Sequence, residues 1–318
     1  MTLLITEQDI QKILSIKIAI PVIEEMFRMA GEGTAENSPR MRMPFAKGFL
    51  QFGAGALHEK KVMGFKVWAN FGSPLRQVFN HLYSMDTSEL LAIIQAHAIG
   101  TCRTSAATAV AVKYLSPADA GVVGMLGAGI QAEAQLEAIC AVRPIRTARV
   151  FSRTRESREA FCARMAARLG IEVIAVESPE LVLDGADIVV TITKSETPVL
   201  FGDWIKRPCL VVGAGANHWY EREIDHKLVS MAKLVVADDK EHAKIECGDL
   251  LWPIDHGMLR WEQVKNLGDV VVGRDMPPSF DAGVILFESH GLAIEDVAIS
   301  AFAYELAIAR GLGRELSL

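Results

Sequence analysis

The apolar run Val122-Val123-Gly124-Met125-Leu126 meets Gly127-Ala128-Gly129-Ile130-Gln131-Ala132, a glycine turn followed by helix-forming residues. No other segment constrains the chain as much. A strand entering such a turn predicts a βαβ unit that binds a nucleotide. Gly127 takes the tight-turn angles, Gly129 lets a pyrophosphate approach the main chain, and small Ala132 lets the helix pack close to the strand. A helix beginning near Ile130 offers unpaired N–H groups and the positive end of its dipole to the phosphate, with Ala128 and Gln131 beside it. G-x-G-x-x-A alone is a weak signal, so its flanks matter. Glu133 to Ala141 holds a helical pattern without a breaker, and Ala148-Arg149-Val150-Phe151 supplies a second strand at βαβ spacing.

From Ala120 to about Val272 the alternation continues, with strands predicted at 122–126, 148–152, 172–176, 187–193, 209–213 and 233–237. Helical stretches such as Arg155 to Leu169 lie between them, with Phe161, Met165 and Leu169 as core and Arg158 and Arg168 at polar positions. The pattern is that of an α/β, Rossmann-type doubly wound sheet. Before Ala120 the chain reads differently. A helix from Ile16 to Ala30 precedes glycine-punctuated segments at Arg40 to Phe45, Phe49 to Phe52 and Val62 to Val67, as in antiparallel strands, and a small-residue helix is predicted from Ser105 to Val112. The last apolar helix, Ile294 to Ala309, is expected to pack back on this first part, leaving a cleft between two domains. Residues 1–115 with 290–318 would then form an α+β substrate-binding domain, and 116–289 the NAD(P)-binding domain.

The nucleotide's second feature is its 2′ group. At the place where a carboxylate would hold a ribose hydroxyl, the chain has Ser152-Arg153-Thr154. Arg153 and two hydroxyls suit a 2′-phosphate, which favours NADP; an Arg153 stacked on adenine would serve NAD. Thr191 and Thr193, in the predicted strand 187–193, and Asn217 join the candidate cofactor contacts.

With 318 residues, half of them apolar, two large cores can be buried, and a net charge of −6 disfavours nucleic-acid binding. Charges punctuate the first 30 residues, and no apolar stretch reaches membrane-spanning length. Five cysteines without a C-x-x-C pair point to reduced thiols in the cytoplasm and no metal site.

The first domain offers cations for a substrate. Arg40 and Arg42 alternate with Met41 and Met43, Lys66 sits in apolar Gly64-Phe65-Lys66-Val67, and Arg103 precedes Thr104 at the start of the small-residue helix. Such cations are costly unless they are paired or bind an anion.

Together with the glycine turn, several stretches make the chain similar to the ornithine cyclodeaminase and mu-crystallin family. They are Pro39-Arg40, Gly64-Phe65-Lys66, Arg103-Thr104-Ser105-Ala106-Ala107, Phe151-Ser152-Arg153-Thr154, Glu223-Ile224-Asp225 and Phe287-Glu288-Ser289-His290-Gly291-Leu292-Ala293-Ile294-Glu295-Asp296. The resemblance implies hydride transfer between NAD(P) and the α-carbon of an amino or imino acid. It implies that Arg40, Lys66 and Arg103 receive the substrate carboxylate, with Lys66 also near the reacting atoms as the catalytic group. Thr104 and the Gly127 turn would meet the cofactor phosphates and Gly291 the nicotinamide, in a homodimer built through the first domain. Cyclodeaminating members carry an acid–base Asp at the position matched here by Asn217, in Gly213-Ala214-Gly215-Ala216-Asn217-His218. Ring closure is therefore disfavoured against simple imine reduction.

Arg42 and His97 extend the reading. The family more often has an acidic residue near His97, so this stretch reads as depleted of negative charge and suited to a second substrate carboxylate, as in iminosuccinate, which would give aspartate. An interior or interface histidine is the plainer reading of His97. Lys66, water or His97 would supply the proton. Alternatives are an alanine-type dehydrogenase, a cyclic ketimine reductase, or a non-catalytic NADPH-binding protein of the crystallin type.

Overall fold

A computed structural model describes residues 2–72 and 77–317. The chain divides into two compact units, Met1–Ala106 with Gly291–Leu318, and Ala107–His290. Among the described residues no helix is long and apolar enough to cross a membrane.

The first unit is built on a sheet whose strands run in the order Arg314–Leu316, Thr2–Ile5, Leu90–Gln95, Val78–Ser84, Val62–Asn70, Gly48–Leu57 and Ala35–Asn37. Met41–Phe45 pairs with Gly48–Leu57 as well. Every pairing is antiparallel except Thr2–Ile5 with Leu90–Gln95. Helices Ile16–Glu32 and Ala293–Arg310 pack against each other, and the second lies on the sheet. Its approach needs a bare backbone beneath it. A Cβ at Gly55 would overlap the Ile294 side chain, and one at Gly64 would stand 3.3 Å from Val297 Cγ2. The glycines that read as strand punctuation are thus also the seat of the terminal helix.

Strand register places several candidate site residues on one face, the one that carries the terminal helix. Arg42 opposes Gln51, Gln51 opposes Trp68, and Lys66 opposes Asn80, so these five share one face. Met41 opposes Phe52 on the other, where Met41, Met43, Phe45, Phe52 and Met63 are all exposed.

In the second unit all pairings are parallel, in the order Glu172–Ala175, Thr147–Phe151, Val122–Leu126, Ile188–Thr191, Leu210–Gly213, Ile285–Glu288, Leu234–Ala237 and Val264–Asn266. The strand order reverses beside Val122–Leu126, which makes its end the topological switch point of a doubly wound sheet. The six predicted strands form within one or two residues of their expected limits. Ile285–Glu288 and Val264–Asn266 were not anticipated; runs this short carry no periodicity that separates strand from helix.

Two local expectations need correction. The small-residue helix extends over His97–Leu115, so Arg103 and Thr104 lie within it and not at its start. Its first turn is capped from elsewhere: the Glu7 carboxylate accepts from His97 N at 3.1 Å and Ala98 N at 2.7 Å. Arg158, expected at a polar position, is buried, and its guanidinium pairs with Glu177 at 2.7 Å.

Candidate active site

In the first unit, three of the anticipated cations converge on the start of the terminal helix. Lys66 Nζ donates to Asp296 Oδ1 at 2.9 Å, with the lysine side chain 15% and the aspartate 4% exposed. Arg103 Nη1 donates to Glu295 Oε2 at 2.8 Å, and Arg103 Nε stands 3.6 Å from Asp296 Oδ2. Arg40 Nη2 donates to the Gly291 carbonyl at 2.5 Å. Burial lowers the Lys66 pKa; the Asp296 charge opposes this, while Arg103 and Arg40 add to it. A lysine so placed gives up its proton more readily than a solvated one and keeps it only through Asp296.

Glu295 and Asp296, named above only within the family stretch, have no role assigned by the sequence reading. Their signal was present, as adjacent carboxylates in an otherwise apolar helix. They acquire meaning only once Lys66 and Arg103, roughly two hundred residues distant in the chain, are seen against them. Asp296 is tied further to the sheet, since Asn80 Nδ2 lies 3.5 Å from its carbonyl and donates to Ser300 Oγ at 2.9 Å.

Arg42 is anchored by Gln51, with Nε donating to Oε1 at 2.7 Å. His97 is exposed and lies one turn before Gly100, whose missing Cβ would stand 3.5 Å from Lys66 Nζ. His97 therefore shares a helix side with Gly100. The stretch is not depleted of negative charge as expected, because Glu7 reaches it from a distant part of the chain. Thr104 turns its hydroxyl to the Gly100 carbonyl of its own helix at 2.8 Å.

In the second unit the glycine turn fits a dinucleotide phosphate. Gly127 has φ +124°, and a Cβ there would lie 2.5 Å from the Ile192 carbonyl; a Cβ on Gly129 would meet nothing within 4 Å. Gly129 caps helix Ile130–Val142 without a side-chain bond, and Ile130 is 78% exposed, so the first N–H groups face open space. Ser152, Arg153 and Thr154 follow strand Thr147–Phe151, with Arg153 and Thr154 exposed. Thr191 ends strand Ile188–Thr191 and is buried, while Thr193 and Gly215 are drawn together by Glu223. Asn217 N donates to Glu221 Oε2 at 3.0 Å.

Carboxylates are concentrated here. Glu223, Asp249 and Glu288 are all buried, and burial pushes each upward, Asp249 to about 8. Cys247, Glu288 and His290 each bring one possible ligand atom within 4.8 Å of the others, a grouping that sequence spacing did not show. Burial and the Glu288 charge hold the Cys247 thiol well above its ordinary pKa.

The model of the ornithine cyclodeaminase/mu-crystallin family matches residues 1–311. The chain belongs to this family. An alanine dehydrogenase from Archaeoglobus fulgidus is 30% identical over 99% of this chain and 98% of its own length. An iminosuccinate reductase from Paracoccus denitrificans is also 30% identical, over 99% of this chain and all of its own. Thermococcus litoralis Δ1-pyrroline-2-carboxylate reductase, solved with NADH and L-proline, superposes with a TM-score of 0.93 at 31% identity, covering 99% of this chain and 100% of that one.

Proposed function

We propose that the chain is an NAD(P)H-dependent oxidoreductase that reduces a small α-imino acid to its L-amino acid, with a dicarboxylic imine such as iminosuccinate as substrate. The observation that carries the reading is the gathering of Arg40, Lys66 and Arg103 beside two buried carboxylates of one helix, in a chain that also holds an open glycine cradle for a dinucleotide. The relatives reduce imines or dehydrogenate an amino acid, which agrees with this chemistry.

Gly127, Gly129 and the first amides of helix Ile130–Val142 would hold the cofactor pyrophosphate. The bound, reduced nicotinamide supplies a hydride. Arg40 and Arg103 bind the substrate carboxylate and fix the plane of the C=N group. Lys66 would give its Nζ proton to the imine nitrogen as the carbon gains that hydride, so C=N becomes CH–NH. Asp296 keeps Lys66 protonated and aimed until that transfer. Asn217 holds no titratable proton, so the acid–base step that ring closure requires has no group there.

Arg153, exposed with two neighbouring hydroxyls and no carboxylate at the equivalent place, favours NADPH over NADH. The relative from T. litoralis holds NADH, so the two cofactors belong side by side in the assay. The exposed apolar sheet face of Met41, Met43, Phe45, Phe52 and Met63 is the surface through which a homodimer would form.

The test is oxidation of NADPH and of NADH with ammonia and a panel of keto acids, with pyrroline-2-carboxylate alongside. Ammonia-dependent oxidation with oxaloacetate is expected. Turnover only with pyruvate or the cyclic imine transfers the assignment to an alanine-type dehydrogenase or ketimine reductase, and silence throughout leaves a cofactor-binding protein. Arg42→Ala should weaken the dicarboxylic imine by about 1.5–3 kcal/mol more than the pyruvate imine, the value of one charge-assisted hydrogen bond. Equal losses in kcat/KM on both substrates would remove Arg42 from side-chain recognition.

A further inference from the structure

Glu223 lies fully buried in the second unit, and all of its polar groups are engaged. Its N–H donates to Asp249 Oδ1 at 2.9 Å, and its carbonyl accepts from Val199 N at 2.8 Å and Leu200 N at 3.0 Å. Its side chain joins two segments: Oε1 accepts from Thr193 N and Thr193 Oγ1, both at 2.6 Å, and Oε2 accepts from Gly215 N at 2.8 Å. Asp249 fixes the support, because the same Oδ1 also accepts from Ile224 N at 2.8 Å. The segments are drawn so close that a Cβ on Gly215 would overlap both the Glu223 carboxylate and the Thr193 backbone.

The two segments leave the carboxyl ends of strands Ile188–Thr191 and Leu210–Gly213. These are the strands on the far side of the switch point from Thr147–Phe151. In a doubly wound sheet one mononucleotide half of the ligand lies on each side of that point, and Ser152-Arg153-Thr154 marks the adenosine side. The nicotinamide half therefore falls to the segments that Glu223 clasps.

We infer that Glu223 is a positioning residue for the nicotinamide half of the cofactor, clasping the segments at Thr193 and Gly215 into one preformed surface. This inference rests on the dinucleotide reading under Proposed function. The side chain is specified closely. Both oxygens face N–H donors, so glutamine would turn its own NH2 group against one of them, and aspartate is one methylene too short to reach both segments. Burial raises the Glu223 pKa, and the donors at Thr193 and Gly215 offset part of that rise.

The experiment is a binding titration of the full chain and its Glu223→Gln variant. It uses NADPH and NADH, followed by fluorescence, and the adenosine fragments ADP and adenosine 2′,5′-bisphosphate, followed by calorimetry. The variant is expected to bind the dinucleotides about tenfold more weakly while the fragments change by less than about twofold, since one charge-assisted bond is lost on the nicotinamide side alone. Equal affinity of variant and parent for the dinucleotides overturns the inference, as does a parallel loss for dinucleotides and fragments, the mark of a general structural role. If Glu223→Gln fails to fold, Thr193→Val removes the hydroxyl's bond to Glu223, together with the one it accepts from Ser195 N, and should weaken NADPH about threefold with the fragments unaffected; unchanged NADPH affinity there also overturns the inference. A parent chain that binds the fragments but neither dinucleotide, or nothing at all, brings down the dinucleotide reading itself, and the clasp role with it.

Discussion

Replacing Lys66 by methionine lowers kcat for imine reduction by about 10²–10⁴-fold, the scale of one positioned proton donor, while NADPH binding changes by less than about twofold. Methionine keeps the bulk of the side chain in its mostly buried place but brings no proton and no charge for Asp296. Stopped-flow turnover and a separate NADPH titration distinguish the two effects. Unchanged turnover would remove Lys66 from the chemistry. The same group sets a pH limit. Reduction requires the ammonium form, so the rate falls as pH rises through the Lys66 pKa, which burial places below the ordinary lysine range. Asp296 is the influence that raises this pKa, so Asp296→Asn moves the alkaline limb of the kcat/KM profile to lower pH. A limb that stays in place would assign the titration to another group.

Arg103→Leu combines a stability loss with a binding loss. Glu295 is wholly buried, and removing the guanidinium that pairs with it weakens the support of a charge inside the first unit, at a cost of up to about 3–5 kcal/mol. A urea titration reads that cost as a lower unfolding midpoint. Adding Glu295→Leu restores much of the stability, because an apolar pair replaces a broken ion pair, but it leaves KM for the imine raised, since the guanidinium that binds the carboxylate is still missing. A single variant as stable as its parent would show that Glu295 is satisfied without Arg103, and a double variant with normal KM would take Arg103 out of substrate binding.

The sequence was most informative where one segment carries its own constraint. Gly127 needs a positive φ, Gly129 an open approach, and the apolar runs around them need two buried faces, so the parallel sheet and its turn could be read from neighbouring residues. Arg40, Lys66 and Arg103 stood out because cations in apolar surroundings need a partner. The partners did not stand out in the same way. Asp296, Glu295 and Glu7 act on residues far along the chain, and a non-local cap or ion pair leaves no local periodicity. The helix that begins at His97 shows the consequence, for its first turn depends on Glu7 and was placed eight residues too late. Glu223 was visible within a family motif, but its three side-chain bonds to two separate segments exist only in the folded sheet.

The measurement that bears most directly on the central claim is the fate of the hydride. Nicotinamide cofactor carrying deuterium at C4 would be turned over with oxaloacetate and ammonia, and the amino acid product analysed by mass spectrometry. The account predicts aspartate with deuterium on its α-carbon, and none when ammonia is omitted. Deuterium in malate alone, or no transfer to any imine offered, would contradict it.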